Sequence, residues 1–64
     1  MTIFQAIDAI SETSEMTQEA HDLWIGMCKG DRNEYGVRVQ QGEDPDEIAR
    51  ELHDEAVSLP EEDS

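Results

Sequence analysis

The feature that most constrains this chain is residues 43–59. Asp44 followed by Pro45 is a helix start. The carboxylate can cap free N–H groups, and the missing N–H of proline costs nothing at the first helical position. Asp46 and Glu47 come next, at the positive end of the helix dipole. At about 100° per residue, Ile48, Leu52, Ala56 and Leu59 share one side, with Pro45 and Ala49 beside them. Glu43, Asp44, Glu47, Glu51, Asp54 and Glu55 share the other side. The helix needs an apolar core on one side and offers water a row of carboxylates on the other. Arg50 is the one base near it.

A chain of 64 residues can bury one small core. Large apolar residues run from Ile3 to Leu59, which argues for a folded domain over residues 1–59 and against an acidic disordered chain. Residues 60–64 read as a flexible acidic tail after Pro60. Seventeen acids against four bases give a formal charge of −13. The acids concentrate at both ends of the chain, and Lys29, Arg32 and Arg38 cluster in the middle. Such a charge disfavours direct binding of nucleic acid or anionic membranes, because phosphates are repelled. It favours a basic partner. Cys28 is alone, so no internal disulfide forms, as suits a reducing cytoplasm. The start of the chain lacks a basic segment ahead of its apolar residues, so the expected location is cytoplasmic.

Residues 2–12 read as a helix, with Ile3, Ala6, Ile7 and Ile10 on one face. Residues 11–14 form a polar break, and residues 15–22 a short second helix. Residues 23–28 fit two patterns: a continuation of that helix ending at Gly30, or a buried strand. Residues 29–34 carry turn chemistry. Residues 35–40 alternate apolar and polar as a half-buried strand does. A strand at 35–40 needs a partner for its backbone groups, and 23–28 is the nearest candidate. The expected fold is therefore α+β: helix, short helix, β-hairpin, acidic helix. The alternative is mainly α, with three helices and one extended segment. Ile48, Leu52 and Leu59 are expected to pack on Ile3, Ile7 and Ile10, with Trp24 and Val37 or Val39 between them.

No metal site is expected. His21, Cys28 and His53 match no zinc spacing, and residues 43–46 lack the alternation of a calcium loop. No cofactor is expected either, because Gly26, Gly30, Gly36 and Gly42 are too scattered to cradle phosphate. Enzyme activity is not expected. Cys28 with His21 or His53 is the one conceivable nucleophile pair, and a lone cysteine in a small core is usually buried and inert.

The carboxylate row remains. A solvated face ordinarily intersperses Lys among its acids, and this one holds none. Glu47–Glu51 and Glu51–Glu55 are like-charge pairs at i,i+4, each destabilising by tenths of a kcal/mol. Carboxylates one turn apart are separated by about 6 Å along the axis, close to the phosphate repeat of a nucleic-acid strand. Such a row can enter a basic groove made for DNA. The alternatives are adaptation to high salt, or regulatory binding to a basic partner without nucleic-acid mimicry.

In size, charge and lack of catalytic groups, with the carboxylate row over residues 43–55, the chain resembles the small acidic inhibitors encoded by phages and prophages, in particular anti-CRISPR proteins of the DNA-mimic type. The resemblance implies a non-enzymatic inhibitor in the cytoplasm of a host cell. It would act as a monomer on a basic nucleic-acid-binding protein or complex, such as the PAM-reading region of a CRISPR effector. Glu43, Asp44, Glu47, Glu51, Asp54 and Glu55 are the expected contact residues.

Overall fold

In the computed structural model, which describes residues 1–58, the chain forms four helices. They are α1 (Ile3–Glu12), α2 (Gln18–Gly26), α3 (Lys29–Gln40) and α4 (Pro45–Ser58). Thr2 and Gln5 start α1 with a reciprocal capping box: each side chain satisfies the other's backbone N–H. Thr17 caps α2 by accepting from the Ala20 N–H at 3.2 Å. Asp44 caps α4, its Oδ1 accepting from the Asp46 N–H at 3.0 Å, with Pro45 in the first turn as expected.

The expected β-hairpin is absent: there is no strand among the described residues, and the α+β expectation gives way to an all-α fold. The alternative, a mainly α fold, fits, and the segment it left extended is a helix as well, which makes four. Residues 23–26 complete α2, Met27 and Cys28 form an extended link, and 29–40 is a continuous helix. Gly30 lies inside α3 rather than ending α2. With helix on both sides of that link, no residues are left to form a hairpin. A lone two-stranded ribbon is marginal in water, whereas a helix satisfies its own backbone groups. The helical face of α3 consists of Arg32, Tyr35, Gly36 and Val39, spaced i, i+3, i+4, i+7. Two of these positions are a glycine and an arginine, so the stripe has little apolar signature. Asp31 in the first turn and Arg38 in the last turn both suit the helix dipole.

Helix α1 packs against α3 and α4, and α2 packs against α4. The core is Ala6 and Ile10 from α1, Ala20 and Trp24 from α2, Val39 from α3, and Ile48 and Leu52 from α4. Ile10, Ile48, Leu52, Trp24 and Val39 are thus where the sequence placed them. Val37 is 41% exposed, so Val39 fills the position open to either. Ile3 and Ile7 are half-buried and cover Gly36. Leu59, Pro60 and the expected tail at 60–64 lie outside the described residues. The rings of Trp24 and Tyr35 meet edge to face at a centroid distance of 5.9 Å. Two polar bonds tie α4 to the cap residues at the end of α1 and the start of α2. The Thr13 hydroxyl donates to Asp46, and Thr17 Oγ1 lies 2.7 Å from His53 Nδ1. No helix among the described residues is long and apolar enough to cross a membrane.

Helices α1 and α3 meet at Gly36. A Cβ there would fall 2.7 Å from Ile3 Cδ1 and 3.0 Å from Ile7 Cγ1. At Gly30 nothing lies within 4 Å of that position. In urea denaturation, Leu52→Ala is expected to cost about 2–5 kcal/mol by leaving a cavity. Gly36→Leu should cost roughly 1–3 kcal/mol by wedging α1 off α3. Gly30→Ala should be neutral or stabilise by up to about 1 kcal/mol, since it gains helix propensity without a clash. Equal effects at the two glycines would show that α1 and α3 do not approach at Gly36.

Candidate acidic binding face

The turn between α3 and α4 sets the geometry of the acidic side. Gly42 takes φ 109°, a conformation glycine adopts without the Cβ penalty. The Glu43 N–H then donates to the Arg38 carbonyl at 3.0 Å, and the Gly42 N–H to the Val39 carbonyl at 3.0 Å. This Schellman pair closes α3. It also brings Glu43 back beside the Arg38 side chain.

Arg38 is consequently the hub of the face. Its Nη2 lies 2.7 Å from Glu43 Oε1 and 2.9 Å from Glu51 Oε2. Its Nε donates to both Glu43 oxygens and its Nη1 to Glu51 Oε1. Its guanidinium carbon sits 5.4 Å from the Tyr35 ring centroid. The two hydrogen-bonded carboxylates hold the guanidinium pKa above its ordinary value. In return, the hydrogen bond from Arg38 holds the Glu43 carboxyl below the usual carboxylate range. A carboxylate with a lowered folded pKa adds stability that is present at neutral pH and is lost as pH falls through the lowered value.

The six expected contact residues therefore divide. Glu43 and Glu51 are paired with Arg38, and Asp44 is used as the α4 cap. Glu47, Asp54 and Glu55 are exposed, with no cationic partner among the described residues. Glu55 joins a group that the sequence reasoning missed. Asp31, Glu34, Tyr35 and Arg38 from α3, with Met27 and Glu55, line an open groove of about 330 Å³. On a helix, residues 31, 34, 35 and 38 share one face. With a turn over 29–34 and a strand over 35–40, the sequence reading has no such face.

Away from the groove, Arg50 reaches Glu15 at 3.5 Å. Cys28 is exposed at the start of α3, not buried as expected, and makes no capping bond through its side chain. His21 is exposed and His53 half-buried. No group of three or more His, Cys, Asp or Glu side chains among the described residues is placed to hold a metal ion. Comparisons with protein-family models, with curated proteins and with solved structures find no match for the chain.

Tyr35 is the one tyrosine in the chain and reports on the groove. Burial raises its pKa above 10.0, the Glu55 and Glu51 carboxylates raise it further, and Arg38 partly opposes them. The protonated phenol thus adds stability that is complete below its ordinary value and is lost as pH rises through the raised one. A phenolate absorbance titration should give a midpoint above 10.0, and Glu55→Gln should lower it. A midpoint unmoved by Glu55→Gln would place Glu55 away from the ring.

Proposed function

We propose that this is a non-enzymatic binding protein that regulates a basic partner protein, contacting it through the α3–α4 groove. Asp31, Glu34 and Glu55 supply unpaired charge around the Tyr35 ring, and Glu47 and Asp54 extend it along α4. A lysine or arginine of the partner would enter at the open side of the groove and donate to the Asp31, Glu34 and Glu55 carboxylates. A nucleic-acid-binding protein, such as a CRISPR effector, is one such basic partner.

The observation that carries this reading is the use Arg38 makes of the acidic row. The phosphate-like row expected over residues 43–55 needs its carboxylates free and regularly spaced along α4. Here Glu43 and Glu51 are neutralised and Asp44 is bonded to backbone. The free carboxylates instead gather across two helices around an aromatic ring. That arrangement favours recognition of basic side chains over occupation of a DNA track.

The test starts from the partner recovered with the wild-type chain. Asp31→Lys, Glu34→Lys and Glu55→Lys combined should weaken binding by at least tenfold, about 1.4 kcal/mol, with the helical spectrum retained. Glu12→Lys with Glu19→Lys should matter less. Binding should fade as salt rises, and the partner's DNA should not displace the protein. If DNA displaces it, and reversal at Glu47, Glu51 and Asp54 is the more damaging change, the row acts as a nucleic-acid mimic. If the chain unfolds below physiological salt, its acidity serves salt adaptation and the binding reading fails.

A further inference from the structure

The strongest unassigned feature lies on the other charge. Between α1, α3 and the end of α2 runs an open groove of about 300 Å³. It is lined by Ile3, Phe4, Ile7 and Trp24, with Lys29, Arg32 and Asn33 on its polar side. Phe4 leaves 76% of its surface in water, the most exposed large apolar residue among those described. Lys29 and Arg32 stand one turn apart on α3. Arg38 and Arg50 have carboxylate partners, but neither Lys29 nor Arg32 has one within ion-pair distance among the described residues. In a chain with seventeen acids, two cations left unpaired beside an exposed aromatic are a local exception to the charge of the whole.

We propose that this groove docks a segment of a second protein that presents a large apolar side chain flanked by aspartate or glutamate. The apolar anchor would lie against Phe4, Ile3 and Ile7, and its flanking carboxylates would reach Lys29 and Arg32. Charge complementarity sets the sign of the partner. The openness of the groove sets its class. A small ligand there would keep one side wet, whereas small-molecule sites enclose most of their ligand. A polypeptide covers the open side and shields the charge pairs from water. An exposed aromatic beside arginine is the composition of an interface anchor. A second copy of the chain fits less well, because each copy carries −13. An anionic membrane meets the same repulsion over a wider area. A short segment does not, since charges more than about 8 Å away are screened at physiological salt. This docking site is distinct from the α3–α4 groove and does not depend on it. With both occupied, the protein would bridge a basic partner and an acidic-apolar one.

The test is a selection of random peptides displayed on phage against the intact protein, with binders to Phe4→Ser removed. Phe4 is exposed, so the variant should keep the wild-type helical spectrum and urea midpoint. Surviving peptides are expected to carry an aromatic or leucine beside Asp or Glu. As synthetic probes they should lose at least tenfold in affinity on Phe4→Ser and on Lys29→Glu with Arg32→Glu. They should bind the triple variant at Asp31, Glu34 and Glu55 at least as well as wild type. Three results would overturn the proposal. The survivors could be basic, or indifferent to Lys29 and Arg32. Sedimentation could show a dimer that Phe4→Ser abolishes, which assigns the groove to a second copy. Phosphatidylserine vesicles could bind in a Phe4-dependent way, which assigns it to a membrane.

Discussion

The contact on which this structure rests is the close approach of α1 and α3 at Gly36. With no side chain at that position, Ile3 and Ile7 lie directly over the α3 backbone. Helix α1 also packs against α4, with Ala6 and Ile10 in the core. Ile48 and Leu52 complete that core from α4, and α2 closes it with Ala20 and Trp24. So small a chain has few apolar residues to distribute, and three of its buried residues, Ala6, Ala20 and Ala49, are alanines. Close helix packing supplies the contact that larger side chains would supply elsewhere.

The same packing organises the charge. Because α3 is a helix that ends in a Schellman turn, Arg38 faces the start of α4 and holds Glu43 and Glu51 together. The five hydrogen bonds from Arg38 lie at the surface and add little stability of their own. Their larger effect is on which carboxylates remain free. The acidic side becomes a groove around Tyr35 with unpaired acids on both helices, while Lys29 and Arg32 are left on the opposite wall of α3 beside Phe4. One helix thus separates an acidic surface from a basic, partly apolar one.

What was legible in the sequence follows the strength of each local signal. Helices α1 and α4 repeat bulky apolar residues at helical spacing, and α4 announces its start with Asp44-Pro45. Both were legible, along with Ile10, Ile48 and Leu52 in the core. Helix α3 was not, because its inward face replaces two apolar positions with Gly36 and Arg32. Tyr35, Val37 and Val39 also happen to alternate with Gly36, Arg38 and Gln40 as a strand would. The error propagated to the site. Placed on a strand, Arg38 could not be seen as the partner of Glu43 and Glu51. Placed in a turn, Asp31 and Glu34 could not be seen as neighbours of Glu55. Glu47, Asp54 and Glu55 were visible because they depend on α4 alone.

The central claim is that the acids around Tyr35 form a recognition site and not merely a solvated surface. Amide chemical-shift mapping by NMR, with a short Lys- and Arg-rich peptide titrated into the protein, tests it most directly. The account predicts saturable shifts centred on Asp31, Glu34, Tyr35 and Glu55. They should shrink with added salt, and the amides around Phe4 should stay still. Weak, non-saturating shifts spread equally over Asp8, Glu12, Glu19 and α4 would contradict it, for they would show the peptide responding to net charge alone.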